Sequence, residues 1–132
     1  MSMKDNDYIC PNCKGHLNVG DYVVFATHTQ RKHKGLLMMS PLIGEYKYFH
    51  HEKYQLENGE MVGFGCPICQ CDLTSIKNKD HAMIYMVVDE DSTEYELYFS
   101  KIAGNQSTYV VAQDNIESFG DDALDFEEIF YE

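Results

Sequence analysis

The chain has 132 residues and a formal net charge of −12, with 44% hydrophobic and 13% aromatic residues, including ten Tyr and no Trp. That length fits one ordinary domain, or one with a small extension, and the apolar share excludes a disordered chain. Residues 89–132 carry thirteen acidic side chains against a single base, Lys101, while residues 1–88 carry nine of each, so global electrostatics argue against a phosphate-backbone partner.

The start, MSMKDNDYIC, is polar and has no apolar h-region, so no signal peptide is expected. The longest apolar run, AMIYMVV at 82–88, falls well short of the roughly 20 residues of a membrane span. A cytoplasmic protein with no membrane partner is the expectation, and in that compartment paired cysteines more often hold metal than form disulfides.

In chain order, ICPNC at 9–13 is a tight turn, and KGHLNVGD after it is turn-like. DYVVFATHT at 21–29 and GLLMMS at 35–40 read as a hairpin over 21–40 with a basic tip, QRKHKG; Pro41 and Gly44 punctuate its exit. EYKYFHHEKYQL at 45–56 is extended in character. Asn58-Gly59 is a strong hairpin signal, which makes GEMVGFG at 59–65 the returning strand, delivered into GCPICQC at 65–71. After a polar break at 75–80, HAMIYMVVD (81–89) and TEYELYFSKI (93–102) form a second hairpin. In its second strand Tyr95, Leu97 and Phe99 share one face and Glu94, Glu96 and Tyr98 the other. STYVVAQ at 107–113 is the third strand of a meander. DDALDFEEIFYE at 121–132 starts with an Asp N-cap and reads as a short acidic helix, with Ala123, Phe126 and Phe130 on one face.

The expected fold is therefore mostly β. A zinc-knuckle subdomain with a long β-hairpin insertion (1–79) is followed by an antiparallel β-meander and an acidic C-terminal helix (80–132), packed as one unit.

Four of the five cysteines make two Cys-Pro-x-Cys pairs. Two residues between cysteines let one turn aim both sulfurs at a single ion, and two turns complete a tetrahedron: Cys10, Cys13, Cys66 and Cys69 around one structural Zn²⁺. Pro11 and Pro67 fix φ and stiffen the turns. The amides of Lys14-Gly15 and Gln70-Cys71 lie where knuckle backbone donates to sulfur. Closing the fifty-two-residue spacer (14–65) costs on the order of 3–4 kcal/mol. A structural zinc is worth about 10–16 kcal/mol apparent in small peptides, against roughly 2–4 for a disulfide. The fifth cysteine, Cys71, lies two beyond Cys69; it could stand in for that ligand, but a free, partly buried thiol is the plainer reading.

ICPNCKG and GFGCPICQCDL resemble the metal-binding turns of zinc-ribbon and rubredoxin-like knuckle proteins. The resemblance covers fewer than twenty residues and implies a metal-centred β architecture without naming an activity. Gln70 stands where such knuckles often have Gly, and the long spacer implies a domain-sized insertion. Cys-Pro-x-Cys also resembles the glutaredoxin active site, but neither pair precedes a helix and one redox site needs no second pair. His50-His51-Glu52 followed by a cysteine pair is similar to a zinc-deaminase signature. Its proline is misplaced after Cys66, its spacing is short, and it leaves Cys10 and Cys13 without a role.

The remaining features have bland readings. Arg31, Lys32, His33 and Lys34 are a solvated hairpin tip, with weak nucleic-acid contact through Arg31, Lys32 and Lys34 as the sharper option. Adjacent His50 and His51 point to opposite faces of a strand. Tyr46, Tyr48, Phe49, Tyr54 and Phe64 are sheet core and edge rather than a stacking platform for single strands. No phosphate loop, nucleophile elbow or acid–base carboxylate pair is present. The expected function is a non-enzymatic, zinc-stabilised binding or adaptor module with a protein partner. The alternatives are a rubredoxin-like electron-transfer protein with iron at the same cysteines, or a nucleic-acid-linked module using the 31–34 tip.

Overall fold

Alternating apolar residues build two antiparallel sheets that face each other. The computed structural model describes residues 6–30, 32–42, 45–88, 93–112 and 115–124. In chain order the strands are β1 (Asp7–Ile9), β2 (Asn18–Val19), β3 (Tyr22–Thr29), β4 (Lys34–Met39), β5 (Tyr48–Phe49), β6 (Val62–Gly65), β7 (His81–Val88), β8 (Thr93–Ser100), β9 (Thr108–Ala112) and β10 (Asn115–Phe119). The first sheet runs β1-β7-β8-β9-β10. The second runs β2-β3-β4-β5, with β6 also on β3. Since β4 pairs along the length of β3, β2 and β6 share its opposite edge, β2 at its start and β6 at its end.

β3 shows the period of two that a half-buried strand needs: Val23, Phe25, Thr27 and Thr29 are buried, and the residues between them are not. Phe25, Phe64 and Phe99 close the gap between the sheets, with ring centroids 5.1–5.4 Å apart. This ring cluster sits in a core that takes Tyr8, Leu17 and Leu37 from the first half of the chain and Ile84, Met86 and Leu97 from the second. β1 joins that second half directly, Ile9 pairing with Tyr85.

Both long hairpins form as expected, β3 with β4 and β7 with β8. Two expectations need correction. First, the Asn58-Gly59 turn exists, with Gly59 at φ +86° and the Glu60 amide bonded to the Glu57 carbonyl, but its flanks do not pair with each other. β5 pairs with β4 and β6 with β3, while residues 59–62 exchange hydrogen bonds with 101–103. A tight turn fixes local direction but not the partner, and longer-range ladders won. Second, the stretch 45–56 is strand only at β5. What anchors it is Tyr54, buried and hydrogen-bonded through its hydroxyl to Thr27 Oγ1 at 2.6 Å. Its ring lies against Gly35, where an added Cβ would sit 2.6 Å from ring carbons.

The second face of β8 is covered only towards its Tyr98 end, while Glu94 is exposed. Tyr98 is 2% exposed and packs with Tyr109 and Val111 in a small separate cluster on the far side of the first sheet. β10, unforeseen in the sequence, extends that sheet beside β9. The expected helix over 121–132 falls largely on 125–132, outside the described residues. Asp121 and Asp122 form a turn, and the Leu124 N–H and C=O both bond the Tyr109 hydroxyl at 2.8 Å. Among the described residues there is no helix, and none therefore long and apolar enough to cross a membrane.

Candidate metal centre

Each Cys-Pro-x-Cys turn is fed by a strand from a different sheet: β1 runs into Cys10 and β6 into Cys66. The two turns repeat bond for bond at an offset of 56 positions (66 − 10). The Cys10 amide donates to the Gly15 carbonyl and the Cys66 amide to the Cys71 carbonyl, both at 3.0 Å. Lys14 N–H reaches the Cys10 carbonyl at 3.0 Å and Gln70 N–H the Cys66 carbonyl at 2.9 Å. Leu17 N–H then returns to Tyr8 and Leu73 N–H to Phe64. The repeat is carried by backbone, so only its cysteines and prolines show in the sequence. Lys14 (φ +64°) and Gln70 (φ +66°) occupy the left-handed region that such turns usually give to glycine.

The turns also direct amides at sulfur. Asn12 N–H donates to Cys10 Sγ (3.4 Å), Gly15 N–H to Cys13 Sγ (3.4 Å), and the Ile68 and Cys69 amides to Cys66 Sγ (3.3 and 3.4 Å). Lys14 and Gln70, expected among the sulfur donors, give their amides to carbonyls instead. Asn12 reaches across from the first turn to the second, its Nδ2 3.5 Å from Cys69 Sγ.

The sulfurs of Cys10, Cys13, Cys66 and Cys69 all lie within 4.8 Å of one another, with Cys10–Cys69 and Cys13–Cys66 each at 3.8 Å. Cys10 and Cys66 are fully buried, Cys69 is half-buried and Cys13 is exposed. Cys71 lies beside the four, its Sγ 3.6 Å from that of Cys10. All five cysteines are free thiols. Burial pushes the Cys10 thiol up to about 11. Cys13 also rises to about 11: the Gly15 amide favours its thiolate, but desolvation and S–H bonds to the neighbouring sulfurs outweigh it. Cys69 is held down to about 6, first by the Asn12 side-chain amide and then by the Cys71 backbone amide. A cluster that gathers one stabilised thiolate and neighbouring thiols at these distances could hold a metal ion.

No family model, curated protein or solved structure matches this chain. The reading of the site therefore stands on its geometry.

The four cysteines are the only group of potential ligands gathered around one point among the described residues. His50 Nδ1 contacts the His51 carbonyl and His51 Nδ1 accepts the Lys53 amide, so the two rings serve a local turn. The aromatic series divides. Tyr54 and Phe64 are buried, the Tyr46 hydroxyl contacts Thr108 Oγ1 and donates to the Phe119 carbonyl, and Tyr48 and Phe49 are exposed. Lys32 and Lys34 are exposed at the 30–34 tip, and Arg31 lies outside the described residues.

One surface escaped the sequence reading. On the face of the second sheet that points away from the core, the register aligns Val24 with Met38, Ala26 with Leu36 and Met38 with Phe49. Val19, Leu36 and Phe49 are 65%, 56% and 52% exposed, and the Tyr22 ring meets Phe49 edge-on at 5.3 Å. GLLMM signals a strand, but nothing local says that its outward face stays apolar. A cleft of about 290 Å³ also opens between the sheets, with Tyr8, Phe64, Leu97 and Phe99 among its walls.

Proposed function

We propose that Cys10, Cys13, Cys66 and Cys69 bind one structural Zn²⁺ as thiolates, and that the protein is a non-enzymatic binding module whose metal fixes the sheet presenting its contact surface. The observation that carries this is the meeting of four sulfurs from two sheets. Two of the separations among them, Cys10–Cys69 and Cys13–Cys66 at 3.8 Å, match the edge of about 3.8 Å that a tetrahedron with metal–sulfur bonds of about 2.3 Å must have. Zinc suits such a site because it has no geometric preference of its own and favours sulfur in a closed, four-coordinate shell.

The surface in question is the apolar outer face of the second sheet. It passes into His28 and Lys34, paired in register at the tip end. A protein partner with an apolar strip and an acidic border fits it by charge and by desolvation, as interface cores enriched in Met and aromatic residues do.

Two experiments test the reading. Elemental analysis should find one zinc per chain in colourless protein; iron with visible absorption would move the function to electron transfer at the same sulfurs. For the surface, Leu36→Asp with Phe49→Asp should abolish binding to a partner that the parent chain binds in purified form. Binding that survives the double substitution excludes this face. Retention of the parent on nucleic acid at low salt, lost on Lys32→Glu with Lys34→Glu, would instead favour the hairpin tip.

A further inference from the structure

Cys71 is the thiol that the four-cysteine centre leaves over, and its place in the fold is specific. It is the twin of Gly15: each ends its turn by accepting the amide of that turn's first cysteine at 3.0 Å. In the first turn a side chain at this position would crowd its neighbours, since a Cβ on Gly15 would lie 2.6 Å from the exposed tip of Ile68 and 3.2 Å from Cys13 Sγ. In the second turn the same position carries a thiol, partly buried, whose sulfur lies 3.6 Å from Cys10 Sγ. Cys69 lies 3.8 Å from that same sulfur. Two thiols from one turn therefore flank Cys10; Cys69 belongs to the set of sulfurs mutually within 4.8 Å, and Cys71 stands next to that set through Cys10.

We propose that Cys71 is a reserve ligand of the centre, exchanging with Cys69, so that a thiophilic divalent ion is held by Cys10, Cys13, Cys66 and either of the two. The inference rests on the four-thiolate reading above and extends it to how the ion is kept and passed on. In the exchange one metal–sulfur bond forms at Cys71 as one breaks at Cys69, and the proton lost by Cys71 is matched by the proton gained at Cys69. Coordination number and charge stay the same. A centre of this kind can surrender or accept its ion by stepwise ligand substitution instead of opening.

The test uses the full chain loaded with Co²⁺, whose visible spectrum reports the number of bound sulfurs, and with Zn²⁺. Cys69→Ser and Cys71→Ser should each bind one ion with a four-sulfur spectrum. Cys69→Ser with Cys71→Ser should show three sulfurs and weaker binding by more than about tenfold, since even outer-shell losses cost that much. Cys13→Ser, with no reserve on its turn, should lose the four-sulfur spectrum. A three-sulfur spectrum in Cys69→Ser alone overturns the reserve role and leaves the four-thiolate centre standing. A four-sulfur spectrum in Cys13→Ser would mean that Cys69 and Cys71 bind together and overturns the exchange, whereas no metal in the parent overturns both. Alkylation of the unsubstituted zinc form guards against variants that fail to fold: singly labelled chains should divide between Cys69 and Cys71, and label confined to Cys71 refutes the exchange.

Discussion

Replacing Cys66 with Ser tests the centre at one of its two fully buried corners. Cys66 is fully buried, its sulfur accepts two backbone amides, and it lies 3.8 Å from Cys13 across the cluster. The exchange swaps a soft, long-bonded ligand for a hard, short one, and the ion should be lost. An ion held by the four sulfurs would tie position 13 to position 66, and releasing a closed loop of that length would return about 4 kcal/mol of chain entropy to the unfolded state. The sheets moderate the loss, because β1 stays paired with β7 and β6 with β3. The full 10–16 kcal/mol seen in zinc peptides is therefore not expected. At about 4 °C per kcal/mol for a chain of this size, the midpoint should fall by about 15 °C. Thermal unfolding followed by circular dichroism should show this drop for Cys66→Ser and equally for the parent in excess chelator, with added zinc restoring only the parent. Shifts below about 3 °C in both would show that the sulfurs hold nothing of structural weight.

The turn backbone gives a second prediction: Gln70→Gly should stabilise by about 0.5–1 kcal/mol, the left-handed strain relieved less the added chain entropy. Lys14→Gly should gain nothing in a denaturant melt, because Lys14 Nζ lies 4.6 Å from the Tyr85 ring centroid and that contact is worth about 0.5–1 kcal/mol. Gly35→Ala should cost about 1–3 kcal/mol, since the buried, hydrogen-bonded Tyr54 ring cannot yield. Gly63→Ala should cost much less by the same melt, because its obstacle is the exposed His28 ring. Metal loading should release at least two protons near pH 7.5, from Cys10 and Cys13, whose thiols titrate at about 11. Affinity should then rise steeply with pH, and titration calorimetry in buffers of different ionisation enthalpy reads the count; heats independent of buffer would contradict it. Burial lowers the His81 pKa below 6.5 against the pull of Asp80, so the unfolded chain takes up that proton more readily. Stability at His81 is therefore present above about pH 6.5 and lost as the pH falls towards the folded value; His81→Gln should flatten that acid limb.

The paired cysteines and the two long hairpins were legible because each is written in adjacent residues: two-residue spacing for the ion, alternation and a polar tip for the strands. β1 was not, since Asp7–Ile9 is too short to carry a pattern and takes its register from β7, almost eighty positions away. β10 was hidden for a related reason, because NIESF has few apolar residues and becomes a strand by pairing with β9. Tyr98 shows what alternation leaves open. It says that Glu94, Glu96 and Tyr98 share a side, but not that the Tyr98 end of that side is covered while Glu94 is exposed. Asn58-Gly59 predicted its own turn correctly and its neighbours' pairing wrongly, since the competing partners were 101–103. The gathering of Cys10, Cys13, Cys66 and Cys69 could be anticipated from their spacing, whereas the proximity of Cys71 to Cys10 depends on how two distant turns dock.

Tyr8 and Phe64 are the twins that stand two residues ahead of Cys10 and Cys66, and both form walls of the cleft between the sheets. Each is joined to the sulfur cluster by one short, extended run of chain. The cleft and the sulfur cluster therefore share a frame: the strands that wall one end of the cleft, β1 and β6, are the same strands that carry Cys10 and Cys66 to their meeting point.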